Sequence, residues 1–355
     1  MVKRILALLL VGLLAATALV GCGGGTDQDV DPQEDLGEVE EQNASDDIVL
    51  KMGMVTDVGG INDQSFNESA WNGHKKAEAE LGFEVSYAES RQDSDYEPNL
   101  ESLLDAENDL IWGIGFMMEN AIAEAADFNP DQNYGIIDFS YGEETLDNIV
   151  GVLFKDNESS FLVGYIAGKM TETNKVGFVG GMTSDAIDAF QYGYMAGVKY
   201  ANPDVEVLVQ YADSFNDAAI GKSIAIQMYQ QGADIVFHAA GGTGNGVIEA
   251  AVEQDKFAIG VDMDQNHLAP DHVITSAMKY VDNAIFDVAK QLQEGNFPGG
   301  ETVIYGLKDG GVGIAPTSDQ HVPAELLEEV EEVEEKIVEG EIFVPANEEE
   351  FNENY

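Results

Sequence analysis

The sequence predicts an α/β fold with two mainly parallel sheets, one in each of two lobes. From residue 48 onward, short apolar runs alternate with longer segments of helical spacing. Strands that are apolar throughout and separated by helices indicate parallel sheets covered on both faces. The runs form two sets that divide near 153–161 (LFKDNESSF), and each set has the size of an ordinary domain.

The first set predicts five strands and a well-marked helix. The helix at 66–81 follows Ser65, with Glu68 three residues later, and this spacing is a capping-box pattern. We therefore expect the Ser65 side chain to cap that helix, and we predict a further helix at 119–128. The strands are predicted at IVLKMGMV, FEVSYAE, LIWGIGF, YGIIDFS and IVGVLF.

The second set repeats the alternation and is followed by a C-terminal extension. Its strands are predicted at KVGFVGG, VEVLVQYA, ADIVFHAA, FAIGVDM and VITSAM. Helices are predicted at 157–172, 186–201, 217–231, 245–255 and 282–294. Residues 303–316 predict one or two more strands, and an acidic amphipathic helix follows from Pro323, with Leu, Val and Ile at helical spacing.

The chain is strongly acidic, with 67 Asp and Glu against 16 Lys and Arg and a net charge of -51. Such a surface repels nucleic acid phosphate, so a nucleic acid partner is not expected. The charge indicates either cation binding or a halophilic protein, whose self-repulsion is screened by concentrated salt. The nearest candidates for a calcium loop, 93–95 and 262–266, do not complete the pattern, which favours salt adaptation.

The N-terminus predicts export and lipidation. Residues 1–22 join a basic start, an apolar run and LVGC, which is typical of a lipoprotein signal peptide whose lipobox ends at Cys22. Cys22 is the only cysteine, so no disulfide forms within the chain and no multi-cysteine metal site is expected. Residues 23–47 predict an acidic disordered tether. We expect the folded part to sit at the extracytoplasmic face of the cell membrane.

Polar and aromatic residues follow the predicted strands, in TDVGGINDQSF, GFMMEN, IIDFSYG, GGMTSDAIDAF, HAAGGTGNG and VDMDQNH. Ligands of open α/β sheets bind at the carboxyl ends of strands, and hinged lobes can close around a small molecule. Amides, carboxylates, aromatic faces and one lysine suit a neutral flat ring that carries hydroxyls. A phosphate would require more basic residues.

Each candidate also has a purely structural interpretation. Asn62 and Asp63 could cap a turn or the next helix, and Phe66 and Phe190 could be core residues. The glycine-rich 241–246 lacks the spacing of a dinucleotide fingerprint. Neither H-E-x-x-H nor G-x-S-x-G occurs, so we expect a binding protein without a cofactor or metal, and not an enzyme.

These stretches resemble the basic membrane protein family of PnrA-like lipoproteins. The most specific is DVGGINDQSFN, and it is joined by IIDFSYG, ESSFLVGYIAG, KVGFVGGM, AFQYGYMAGVK, GADIVFHAAGGTGNGVIEAA and GVDMDQ. The resemblance covers about residues 48–345. It implies a type I periplasmic-binding-protein fold, with two Rossmann-like lobes joined by a multi-strand hinge. It also implies capture of a purine nucleoside (inosine, guanosine or adenosine) for an ABC importer with permease and ATPase subunits.

The resemblance also implies lobe boundaries and ligand contacts. The N-terminal lobe is expected at 48–155 and 280–314, the C-terminal lobe at 156–279 and 315–346, and an acidic tail at 347–355. The implied contacts are Asn62, Asp63 and Asp138 with the base, Phe66 and Phe190 on its faces, and Asp262 and Lys279 with the ribose near Gly242 and Gly244. The alternatives are a binding protein for a sugar or other small polar solute, or a ligand sensor without a permease.

Overall fold

Two six-stranded sheets organise residues 49–355, the part of the chain that the computed structural model describes. The strands come from buried, mostly apolar segments; for example, every residue of Leu110–Gly113 and of Ile235–Ala239 is buried. In chain order the strands are β1 (Lys51–Val55), β2 (Glu84–Ala88), β3 (Leu110–Gly113), β4 (Asn133–Ile137), β5 (Ile149–Phe154), β6 (Lys175–Gly180), β7 (Glu206–Tyr211), β8 (Ile235–Ala239), β9 (Phe257–Asp262), β10 (Val273–Lys279), β11 (Thr302–Tyr305) and β12 (Val312–Ile314).

The two sheets have matching strand orders. The first is β11-β5-β4-β3-β1-β2 and is parallel throughout, and the second is β12-β10-β9-β8-β6-β7. In the second sheet only β12 is antiparallel to its neighbour. The predicted α/β class with two parallel-dominated sheets is therefore confirmed, and β1 and β6 occupy equivalent places in their sheets.

Ten α-helices cover the sheets in the described residues. They are α1 (Phe66–Leu81), α2 (Tyr96–Asp105), α3 (Glu119–Phe128), α4 (Asp156–Met170), α5 (Asp185–Ala201), α6 (Ala218–Gln230), α7 (Thr243–Gln254), α8 (Val281–Gln293), α9 (Ala324–Val338) and α10 (Glu348–Asn354). The sequence analysis did not predict α2, whose Tyr96, Leu100 and Leu103 are buried. Nor did it predict α10, which lies in the expected acidic tail and is capped by the Asn347 side chain.

The chain crosses between the lobes three times. It passes from β5 into α4, which packs on β10; from β10 into α8, which packs on α1; and from β11 to β12. The backbone N–H of Lys155 donates to the Tyr305 carbonyl (2.8 Å), and that of Tyr280 donates to the Gly311 carbonyl (3.0 Å). These bonds hold the crossing segments side by side. The three segments correspond to the expected multi-strand hinge.

One strand departs from the predicted lobe ranges. Val312–Ile314 lies within 280–314, which was expected in the N-terminal lobe, but it pairs with β10 of the second sheet. The other lobe boundaries stay predictions. Within residues 49–355, no helix is both long and apolar enough to span a bilayer. The predicted signal peptide, Cys22 and the tether lie outside the described residues.

Candidate ligand-binding site

A cavity lies between the two lobes, where strands of both sheets end. Its volume is about 50 Å³, so in this conformation it is a narrow slot. The lining residues are Asp57, Gly59, Asp63, Phe66, Asn67, Gly115, Phe116, Asp138, Ala186, Ile187, Phe190, Phe215, Ala239, Ala240, Gly241, Val261, Asp262 and Lys279.

Two aspartates enter the cavity from equivalent strands. Asp138 follows β4 and Asp262 ends β9, and these strands hold the same position in the two sheets. Both residues have left-handed backbone, with φ of 64° and 63°. Asp tolerates this conformation better than most residues, and strained backbone concentrates at functional sites. The geometry aims one carboxylate into the cavity from each lobe.

The loop after β1 places Asp63 against the start of α1. Its carboxylate accepts from the backbone N–H groups of Ser65 (2.9 Å), Asn67 (2.9 Å) and Glu68 (3.1 Å). The predicted capping box is therefore wrong, because Asp63 caps the helix instead of Ser65. The Ser65 hydroxyl does not cap the helix. It donates instead to Asp262 in the other lobe.

Four aromatic rings frame the slot. The Nζ of Lys279 lies 5.3 Å from the ring centroid of Phe66 and 5.5 Å from that of Phe190, so the two rings flank the same charged group from opposite lobes. Phe116 and Phe215 meet edge to face, with centroids 6.3 Å apart, and close another part of the wall. Such rings can stack on a planar ligand.

Lys279 is a buried cation held by carboxylates from both lobes. It is 1 % exposed, and its Nζ donates to Asp138 (2.7 Å) and Asp156 (3.0 Å). Burial alone would lower the pKa of Lys279, but Asp138, Asp156 and Asp262 outweigh it and raise the pKa above its ordinary value. Burial also raises the pKa of Asp156 well above its ordinary value, against the opposing effect of Lys279. The ammonium group therefore stays charged.

Two other cavity carboxyls are poised near neutral pH. Burial raises the pKa of Asp262 to about 7, against the opposing effects of Lys279 and the Ser65 hydroxyl. Burial also raises the pKa of Asp57 to about 6, although it accepts from the Asn67 side chain (2.8 Å) and the Gly59 N–H (2.7 Å). A ligand that donates hydrogen bonds would satisfy these groups, whereas an anion would be repelled.

The cavity gathers most of the predicted site residues. Asp63, Phe66, Asp138, Phe190, Asp262 and Lys279 all line it. Asn62 does not, because its side chain is exposed. Gly242 and Gly244 are also absent from the lining. A Cβ on Gly244 would meet His238 Nδ1 at 2.0 Å, so this glycine allows α7 to pack against β8.

Among the lining residues that the sequence reasoning missed, four are polar or aromatic. Asp57 and Asn67 lie inside the quoted DVGGINDQSFN. The resemblance named Asn62 in this stretch, whereas the amide that lines the cavity is Asn67. Phe116 lies in GFMMEN, at the end of β3. Phe215 follows the edge strand β7, where no sequence signal was noted. Within residues 49–355, no group of three or more His, Cys, Asp or Glu is arranged to hold a metal ion.

Comparison with known proteins identifies relatives over most of the chain. The chain is 43 % identical over 307 residues to basic membrane protein A of Borreliella burgdorferi, covering 85 % of this chain and 90 % of the relative. It is 39 % identical over 366 residues to a CD4+ T-cell-stimulating antigen of Listeria innocua (97 % and 99 %). It is 37 % identical over 367 residues to the ABC transporter nucleoside-binding protein BmpA of Lactococcus lactis (98 % and 100 %).

Structural comparison and a family model agree with these relatives. An ABC transporter solute-binding protein from Aeropyrum pernix superposes with a TM-score of 0.76 at 31 % identity, covering 86 % of this chain and 96 % of that one. An arabinose-binding protein from Geobacillus stearothermophilus, at 14 % identity and a TM-score of 0.56, shares the fold alone. The family model for PnrA-like ABC transporter substrate-binding proteins matches residues 50–348. The chain belongs to this PnrA-like family of ABC transporter substrate-binding proteins.

Proposed function

We propose that this protein is an extracytoplasmic lipoprotein that captures purine nucleosides between its lobes and delivers them to an ABC importer. The observation that carries the proposal is the slot in which Phe66 and Phe190 flank Lys279, with Asp138 and Asp262 entering from opposite lobes. A nucleoside matches this chemistry because it combines a flat ring with N–H and O–H donors and carries no phosphate.

The base would stack between Phe66 and Phe190. Stacking of a base on an aromatic side chain contributes about 1–3 kcal/mol. Asn67 takes the place expected for Asn62, since it lines the cavity and its Oδ1 has no hydrogen-bond partner among the described residues. Its Nδ2 donates to Asp57 and Asp63. The amide orientation is therefore fixed, with the oxygen free to accept from a base N–H.

The sugar hydroxyls would meet Asp262 and Lys279. Asp262 accepts from the Ser65 hydroxyl, and this bond has the same chemistry as a bond from a ligand hydroxyl. Lys279 is engaged by two carboxylates and can still donate to a third acceptor, since an ammonium group has three N–H bonds. The surplus of carboxylates in the slot disfavours nucleotides.

Capture would proceed by closure of the lobes about the three crossings. A ligand that contacts both lobes shifts the equilibrium toward the closed form in proportion to its extra affinity for that form. The closed protein would then dock on permease and ATPase subunits, and a lipid on Cys22 would keep it near them.

Calorimetric titration with inosine, guanosine, adenosine, cytidine and ribose tests the proposal. We expect the purine nucleosides to bind much more tightly than cytidine or ribose. Tight binding of ribose without any nucleoside would overturn the purine proposal and favour the sugar alternative. The titration needs molar salt if the net charge of -51 reflects salt adaptation, and the unfolding midpoint is then expected to rise with added salt.

A further inference from the structure

The loop between β1 and α1, residues 56–65, is held by side chains of the opposite lobe. Three amide side chains of the second lobe reach its backbone: Asn216 Nδ2 donates to the Val58 carbonyl (3.0 Å), Asn245 Nδ2 to the Asp63 carbonyl (3.1 Å) and Gln265 Nε2 to the Gln64 carbonyl (2.9 Å). The three amides come from separate places, before α6, in the first turn of α7 and after β9. The loop is therefore bound at three points.

The carbonyls that these amides contact have little other support. Within residues 49–355, none of the three accepts a hydrogen bond from a backbone N–H. Gln64 also has a left-handed backbone, with φ of 59°. The bonds at Asp63 and Gln64 are partly buried, and an unpaired backbone carbonyl is costly away from water, so these two carbonyls favour the conformation in which the second lobe supplies donors. The bond at Val58 is exposed, so its loss should have the smaller effect.

Gln265 links this loop to the ligand slot. It is fully buried, and its Oε1 accepts from the backbone N–H of Val261 (3.0 Å). Val261 lines the slot directly before Asp262. The same side chain therefore ties the end of β9 to the loop that carries Asp57 and Asp63.

We infer that Asn216, Asn245 and Gln265 are positioning residues that favour the closed lobes by binding loop carbonyls, and so hold the ligand-facing side chains of the loop in place. The ligand part of this inference rests on the proposed function, but the closure part does not. The bonds are made to backbone, so they are the same for every ligand. They therefore change the affinity for every ligand by the same factor and leave the ranking of ligands unchanged.

The size of the effect follows from ordinary hydrogen-bond energetics. A neutral hydrogen bond contributes about 0.5–1.5 kcal/mol net, which corresponds to roughly a 2- to 12-fold change in an equilibrium constant. Loss of one amide should therefore lower the closed-to-open ratio of the ligand-free protein by about that factor. Loss of two should multiply the factors if the contacts act independently.

The test uses the full chain with Cys22→Ser and one added cysteine on the surface of each lobe. Single-molecule energy transfer between dyes on these cysteines reports lobe separation without ligand. We expect Asn216→Ala and Asn245→Ala each to lower the closed-to-open ratio by the factor above. The matched control is Asn202→Ala, because Asn202 Nδ2 donates to Asn174 Oδ1 (3.2 Å) within the second lobe, and it should leave the separation unchanged.

Ligand binding supplies the second readout. In the Asn216→Ala and Asn245→Ala variants, Kd for inosine, guanosine and adenosine should rise by one common factor. Unchanged lobe separation in both variants, an equal shift in the control, or a changed ranking of ligands would overturn the inference. A shifted separation in a protein that binds no nucleoside would support the closure role and refute the proposed function.

Discussion

The equivalent first loops of the two lobes cap the helices that follow them in different ways. Both lie between a strand and the helix that follows it, since β1 and β6 hold the same place in their sheets. The second loop, residues 181–184, is short, and the Ser184 hydroxyl caps α5 by accepting from the Ile187 N–H (3.3 Å). The first loop is longer, and its Asp63 caps α1 while Ser65 bonds to the other lobe.

The two loops differ in what completes their conformation. The second lobe offers a self-contained helix start that needs nothing from the first. The first lobe offers a loop whose conformation is completed by donors from the second. Of these two loops, the first is the one whose ordering is coupled to lobe closure. The predictions below test that asymmetry, in order of decreasing expected effect.

The two slot phenylalanines should respond differently to truncation. Phe190 is 2 % exposed in the second-lobe core, so Phe190→Ala should lower the free energy of unfolding by about 3–5 kcal/mol and also weaken nucleoside binding. Phe66 is only partly buried, so Phe66→Ala should cost binding about 1–3 kcal/mol with a smaller effect on folding. Urea unfolding and calorimetry measure the two quantities. Equal folding losses in both variants would contradict the difference in burial.

Removing the Lys279 ammonium group, which lies between the lobes, should destabilise both lobes. Lys279→Met leaves Asp138 and Asp156 without their shared partner, and breaking a buried pair in this way costs about 3–5 kcal/mol. The measurement is urea unfolding at constant salt, with Lys308→Met as an exposed control that should stay within about 0.5 kcal/mol of the parent. A Lys279→Met variant as stable as the control would show that the ion pairs are dispensable.

The two helix caps offer the most direct test of the asymmetry. Asp63→Ala removes the acceptor of three backbone N–H groups and should lower the free energy of unfolding by about 2 kcal/mol. Ser184→Ala removes the acceptor of one backbone N–H group and should lower the free energy of unfolding by about 1 kcal/mol. Only Asp63→Ala should also weaken ligand binding, because Asp63 lines the slot and orders the first loop, whereas Ser184 does not line the slot. Comparable losses of affinity in both would refute the asymmetry.

Protonation of Asp262 should make stability depend on pH. Its folded pKa, about 7, lies above the ordinary 3.8, so the folded state binds more protons between these values and gains stability as the pH falls through that range. Burial lowers the pKa of His74 and His238 to about 4, which acts in the opposite direction. The informative quantity is therefore the difference between the parent and Asp262→Asn across pH 5–8. The variant should gain less stability on acidification, and identical pH profiles would contradict the raised pKa.

The sequence predicted the parts of the site that depend on topology. Asp138, Asp262 and Lys279 were found because polar residues at strand ends converge in a parallel sheet, and Phe66 and Phe190 came from the family resemblance. What it missed depends on how one loop is hydrogen-bonded. Whether Asn62 or Asn67 enters the slot is decided by the wrapping of Asp63 around the helix start, and spacing alone does not encode this.

The helix α2 was missed, and one strand was expected in the wrong lobe. The helix α2 carries Tyr96, Leu100, Leu103 and Leu104 at helical spacing, so its signal was present in the sequence, although the helix is short and contains Pro98 in its first turn. The strand β12 has three residues, one of them glycine. Its place in the second sheet is fixed by pairing with β10, which is a tertiary contact. Short elements of this kind are determined by their neighbours more than by their own residues.

The placement of β11 and β12 has a consequence for the order in which the chain can fold. Each is an edge strand of its sheet, and each lies within residues 302–314. Until that stretch emerges, β5 and β10 are open edges of mostly buried apolar strands, and such edges pair readily with other chains. Neither sheet is complete until residues 302–314 have been synthesised, so a chain truncated before residue 302 is expected to aggregate rather than yield one finished lobe.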